Sequence, residues 1–134
     1  MAFNPTVKLD WKSIQAKKQN KGQLPNAQGV YAFVVRPDNV NIAWCGYILY
    51  VGKTEAQSFQ TRFQQYFDEV NASKPRFWVG EMLKLWENNL YYYFAALSEK
   101  DAGKAEDELL EALMPPNNER FPGKLGKLKK EIYR

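Results

Sequence analysis

Gly29-Val30-Tyr31 and Tyr50-Val51-Gly52-Lys53 each set a phenol close to a glycine at the end of an apolar run. A phenol is a weak acid with an ordinary pKa of ~10, so using it as a base at neutral pH costs about three units, roughly 4 kcal/mol. A neighbouring cation lowers that cost, and Lys53, just beyond Tyr50, stands where it can supply one. Histidine is absent and Cys45 is the sole cysteine. This removes histidine-based nucleophile activation, an intramolecular disulfide and a thiolate zinc cage. Acid–base work then falls to Tyr, Lys, Asp or Glu. A metal site must be rich in oxygen, and hence suited to Mg²⁺ or Mn²⁺.

The elements that position these groups can be read from patterning. GVYAFVV (29–35) is β-branched and aromatic and predicts a strand. Pro37-Asp38-Asn39 is turn chemistry, and the alternation of Val40, Ile42 and Trp44 leads into YILYV (47–51) as a returning strand, with Gly46 as a bulge. Phe59, Phe63, Tyr66, Phe67 and Val70 fall on one side of a helix over 55–71, where Arg62 and Tyr66 are neighbours one turn apart. Further helices are predicted over 10–19, 76–88 and 99–114, the last begun by Ser98 and ended by Pro115-Pro116, and a strand over 89–97. The order is helix, strand, strand, helix, helix, strand, helix: a small α+β domain.

The 134 residues suit one domain with a hydrophobic core. No apolar run approaches bilayer-spanning length and the start lacks a secretory pattern, so a soluble cytoplasmic protein, without membrane contact, is expected. The net charge of +4 is unevenly spread. Residues 8–21 and 121–134 each carry +4, around an acidic middle. Basic ends fit a grip on a polyanion, or two solvated lysine-rich termini.

Taken together, Gly29-Val30-Tyr31 and Tyr50-Val51-Gly52 resemble the paired signature of the GIY-YIG nuclease family. Lys53, then Arg62 and Tyr66 within RFQQYF, follow the family order of a lysine, a helical arginine, and a His or Tyr four residues on. EDELLEALMPPNN supplies Glu106, Leu109, Leu110, Pro115 and Asn118 in the register of the family's glutamate helix. The resemblance covers about residues 29–118 and is nearest to the nuclease module of bacterial nucleotide-excision repair. The hairpin between the tyrosines is longer than the commonest family spacing, and the interval from Gly52 to Arg62 slightly wider; both differences fall where loops tolerate insertion.

The resemblance implies a three-stranded antiparallel sheet with surrounding helices. It divides the chain into a basic N-terminal helical segment (1–28), a nuclease domain (29–118) and a basic tail (119–134). It implies metal-dependent hydrolysis of a nucleic-acid phosphodiester, with DNA as the expected substrate and one Mg²⁺ or Mn²⁺ on Glu106. A signature tyrosine, Tyr31 in the first instance, would be the general base, and Tyr50 would orient the water or bind phosphate; spacing leaves either tyrosine open as the base. Lys53 would lower the cost of the phenolate, Arg62 would hold phosphate with Tyr66 beside it, and Asn118 would cap or brace the site. A partner protein or larger complex for target selection is expected. The alternative is a module of the same fold that binds nucleic acid without cutting.

Singly, these residues have plainer readings. A strand tyrosine is usually packing. Glu106 among Asp107, Glu108 and Glu111 reads as a solvated helix face. Tyr91, Tyr92 and Tyr93 read as alternating core and surface, with base stacking as the other option. Together, Tyr31, Tyr50, Lys53, Arg62 and Glu106 are expected to converge on one concave face. Tyr31 should share a sheet face with Phe33 and Val35, and Tyr50 with Ile48. Gly52 should allow a sharp turn.

Overall fold

The computed structural model describes residues 6–36, 46–70 and 77–118. Cys45, the alternation over 40–44 and the basic tail 119–134 lie outside the described residues. β1 is Lys12–Gln15 and is followed by a 3-10 helix, Lys18–Gln23. β2 is Gly29–Val35, β3 Tyr47–Lys53, α1 Phe59–Val70, α2 Phe77–Leu85, β4 Leu90–Ala96 and α3 Glu99–Leu113. The strands form one sheet in the order β1-β4-β2-β3, with every pairing antiparallel.

The sheet therefore has four strands rather than the expected three, and the correction lies in residues 10–19. Trp11 and Ile14 suggested a helical face, but Lys12–Gln15 pairs with Phe94–Tyr91 of β4. Only Ile14 of that strand is buried. A short edge strand with one core residue has too little alternation to announce itself. Val7, Ile14, Ala16 and Leu24 also enter the core, so residues 6–28 belong to the sheet domain rather than to a separate helical segment.

β2 is buried throughout because it lies between β3 and β4 with both faces covered. On one face α1 and α2 bury Phe59, Phe63, Tyr66, Val79, Met82 and Leu83 against Tyr31, Phe33, Tyr92 and Phe94. Each such side chain contributes about 1.5–3 kcal/mol of burial. On the other face α3 sets Ala105, Leu109 and Leu110 against Val30, Ala32, Val34 and Val51. Ser98 caps α3 by accepting a hydrogen bond from the Asp101 amide (3.2 Å). Met114, in the left-handed region at φ 43°, ends it.

Among the described residues β3 is an edge strand of the sheet, and two details of it depart from the sequence expectation. The register slips between Phe33 and Val34, which pair with Tyr50 and Ile48, so Leu49 is the extra, bulged residue and Gly46 is not. The bulge puts Leu49 and Tyr50 toward the α1–α2 layer and Ile48 toward the α3 layer, so Tyr50 and Ile48 do not share a face. Gly52 lies inside β3, opposite Tyr31, and makes no sharp turn. A Cβ there would sit 2.6 Å from the Tyr31 hydroxyl and ring. Glycine is required because the Tyr31 ring crosses over it.

Beyond α3 the chain comes back to this edge. The Asn117 amide donates to the Leu49 carbonyl (2.9 Å). The side chain of buried Asn118 takes a hydrogen bond from the Val51 amide (2.9 Å) and gives one to its carbonyl (2.8 Å).

Candidate active site

A cleft of about 470 Å³ opens at the β3 edge, lined by Tyr31, Tyr50 and Arg62 from one face of the sheet and by Lys53, Glu55 and Glu106 from the other. Asn118 lines it too. Tyr66 stands behind Tyr31, joined to it through their hydroxyls. All seven residues singled out in the sequence thus lie in or against one cleft. Tyr31 reaches it from an interior strand only because Gly52 leaves its path clear.

The aromatic side is closely knit. The Tyr31 and Tyr66 hydroxyls are 2.5 Å apart, and Arg62 Nε donates to the Tyr31 oxygen at 3.1 Å. The guanidinium also donates to Gln65 (3.0 Å) and lies over the Tyr66 ring, 5.0 Å from its centroid. The half-buried Tyr50 packs its ring edge against Phe33 and Tyr66. Burial pushes the Tyr31 phenol far above its ordinary range and Tyr50 adds to this, while the Arg62 guanidinium pulls against both. Tyr31 is therefore a neutral phenol in the resting protein. The cation that acts on it is Arg62 and not Lys53, which corrects the sequence expectation.

Lys53 serves the other side. As the last residue of β3 it projects toward α3, where a Cβ on Gly103 would lie 3.5 Å from its Nζ. Glu106 follows one turn later on α3. Burial raises its carboxyl above the ordinary value, and the Lys53 ammonium and backbone amide oppose that rise. Asp107 and Glu55 also push it upward.

Glu55 is a residue that the motif reading missed. It follows Thr54 at the end of β3 with φ 58°, a left-handed conformation uncommon outside glycine. A carboxylate between a strand and the helix bearing Arg62 was the only sequence signal for it. Thr54, also unremarked, anchors this corner: its Oγ1 accepts from the Gly29 amide (3.0 Å) and its own amide donates to the Gly29 carbonyl (3.0 Å). Asn118 spends its amide on Val51, so it braces the strand that carries Tyr50, Gly52 and Lys53.

The donors here are oxygens. Glu106 faces the cleft, Glu55 is beside it, and neither histidine nor cysteine lines it. Among the described residues no three Asp, Glu, His or Cys side chains cluster as a ready-made metal cage. The set fits a hard divalent cation held by one or two carboxylates, with water and substrate oxygens completing its shell. No helix among the described residues is long and apolar enough to cross a membrane.

No protein-family model matches the chain, and no curated protein matches it significantly. Solved structures do. A point variant of the GIY-YIG N-terminal endonuclease domain of UvrC from Thermotoga maritima, bound to the catalytic divalent cation, superimposes with a TM-score of 0.52 at 18% identity. That match covers 77% of this chain and 94% of the other. The magnesium-bound form of the same domain gives 0.51 at 18% identity, over 75% and 93%. The chain has a GIY-YIG nuclease-like fold.

Proposed function

We propose that this chain is a metal-dependent endonuclease that hydrolyses phosphodiester bonds in nucleic acid, with DNA as its substrate. One observation carries the reading: a tyrosine–arginine pair and a carboxylate reach a single cleft from opposite faces of the edge strand. Phosphodiester hydrolysis needs an activated water, a charge clamp on the phosphate and relief of charge on the leaving oxygen. The likeness in fold to a domain solved with its catalytic divalent cation supports it.

In this reading Glu106 would hold Mg²⁺ or Mn²⁺, which would supply charge neutralisation for the phosphate and the leaving oxygen. Lys53 favours the ionised form of Glu106. Tyr31, having lost its proton to solvent, takes one from a water in the cleft. The water oxygen bonds to phosphorus, the bond from phosphorus to the leaving oxygen breaks, and solvent protonates that oxygen. Arg62 stabilises the Tyr31 phenolate through Nε and has further N–H donors for a phosphate oxygen. Tyr66 donates to the Tyr31 oxygen, Tyr50 orients the water, and Asn118 holds the strand in register.

A second reading, a module that binds nucleic acid and does not cut, draws on the complete burial of Tyr31. Incubating supercoiled plasmid with the protein and Mg²⁺ or Mn²⁺ separates the two. The nuclease gives nicked and linear products, and Glu106→Ala abolishes them with the fold intact. Binding without any product favours the second reading.

A further inference from the structure

A second cavity, of about 340 Å³, opens on the α3 face of the sheet, where Val34 of β2 pairs with Ile48 of β3. The mechanism above uses no residue that lines it. Helix α3 stands between the two sites, with Leu109 lining this cavity and Leu110 the catalytic cleft. Val34 and Tyr31 are near neighbours along β2, about 10 Å apart. A nucleic-acid strand covers that distance in about three nucleotides.

Buried Val34 and Leu109 give the cavity an apolar floor, and the half-buried Trp11 and Tyr93 add aromatic rings to it. Arg36, exposed at the end of β2, is the one charged residue in its lining. The guanidinium carbon lies 4.4 Å from the centroid of the Tyr91 ring and 5.8 Å from that of Tyr93. Its Nη1 donates to the Tyr93 hydroxyl at 2.8 Å. Tyr91 and Tyr93 meet the same arginine because alternate residues of β4 share a face. Among the described residues no carboxylate lines the cavity.

An arginine laid on a tyrosine ring is held there by cation–π attraction. It is ordered before a ligand arrives, so less side-chain freedom is lost on binding. The guanidinium is a plane with two faces. Tyr91 takes one, and the exposure of Arg36 leaves the other open to a flat ligand. An apolar floor with aromatic rings accepts a flat, weakly hydrated body, and the cation beside it accepts an anion joined to that body. An unpaired nucleotide carries both, as a base that stacks on rings and guanidinium planes and as a phosphate. A paired base is held within its own stack. An apolar peptide would cover the floor and leave Arg36 without a counter-charge.

We propose that this cavity binds an unpaired nucleotide of the nucleic-acid substrate, its base stacked at Arg36, Tyr93 and Trp11 and its phosphate on the guanidinium edge. The proposal rests on the reading that the chain acts on nucleic acid, and its test separates the two. The probes are a fluorescein-labelled single-stranded thymidine oligonucleotide and an abasic one of equal length, titrated by anisotropy with a chelator present so that nothing is cut. Wild type should bind the thymidine probe about tenfold more tightly than the abasic one. Arg36→Lys keeps the charge and loses the plane, so abasic binding should stay within about twofold while most of the preference for bases disappears. Arg36→Gln should lose the preference and weaken abasic binding as well. Both variants should melt with wild type, since Arg36 is exposed. A wild type that binds both probes equally overturns the proposal and leaves the cavity to a protein partner. A full preference in Arg36→Lys overturns it too, because charge alone then suffices. If the wild type nicks plasmid with Mg²⁺ but does not distinguish the probes, only this site falls. If it binds neither probe and leaves plasmid uncut, the nucleic-acid reading falls and the site with it.

Discussion

The cleft has two unlike halves, divided by the edge strand. On the α1–α2 side, Tyr31, Tyr66 and Arg62 are fixed by packing and by hydrogen bonds at 2.5 and 3.1 Å before any substrate arrives. On the α3 side, Glu106 is placed by its helix and steered by charge, chiefly that of Lys53. The first half is closely packed and its phenols are pushed toward neutrality by burial. In the second a partly buried carboxylate stands beside an ammonium that favours its ionised form. A site that must make a base from tyrosine and also admit a hydrated ion benefits from keeping these demands on separate faces.

The division can be broken one half at a time. The largest effect is expected from the pair Tyr31→Phe and Glu106→Ala. Both should lower cleavage by orders of magnitude, with about a thousandfold loss for the base alone. Only Tyr31→Phe should keep the rise in melting temperature that Mn²⁺ gives the wild type, since binding to the folded state stabilises it. Losing the hydroxyl should cost about 1 kcal/mol of stability. Equal loss of the cation response in both variants would mean that the halves are not separate.

An intermediate effect is expected from Gly52→Ala. Its methyl would sit against the Tyr31 hydroxyl and ring, 2.6 Å away, so the closely packed half must shift. Overpacking of this kind costs about 1–3 kcal/mol. Thermal melting should show it, with slower cleavage and an undiminished Mn²⁺ response. An alanine variant with wild-type melting would show that Tyr31 has room to move.

The smallest effect belongs to Lys53→Met. Lys53 favours ionised Glu106, so removing it raises that carboxyl further. Glu106 must be ionised to hold a cation, and a raised pKa means that it protonates sooner as pH falls. Mn²⁺-dependent stabilisation should therefore be lost at a higher pH than in wild type. Movement of the limb to lower pH would contradict the assignment of Lys53 to the carboxylate half.

Much of this arrangement was legible in the sequence, for reasons tied to particular residues. The continuous apolar run of β2 and the spacing of Phe59, Phe63 and Tyr66 are strong periodic signals, and they lead to the right elements. The expected meeting of Tyr31, Tyr50, Lys53, Arg62 and Glu106 at one cleft follows from the element order. What stayed hidden depends on neighbours in space. β1 exposes most of its residues, so its pairing with β4 decides its form. The bulge at Leu49 exchanges faces without any glycine to mark it. Lys53 and Arg62 are equally positive in the sequence, and only the direction each leaves its element decides which serves Tyr31. Glu55 belongs to no motif and is brought in by a left-handed backbone.

The clasp of Asn118 on Val51 has a consequence of another kind. An unpaired strand edge is a template on which another chain can add, and among the described residues β3 is an edge strand of the sheet. The asparagine amide offers Val51 both the acceptor and the donor that a neighbouring strand would offer, so one side chain closes the ladder at that point. The side chain that holds the strand of the site in register thus also occupies edge positions that an added strand would use.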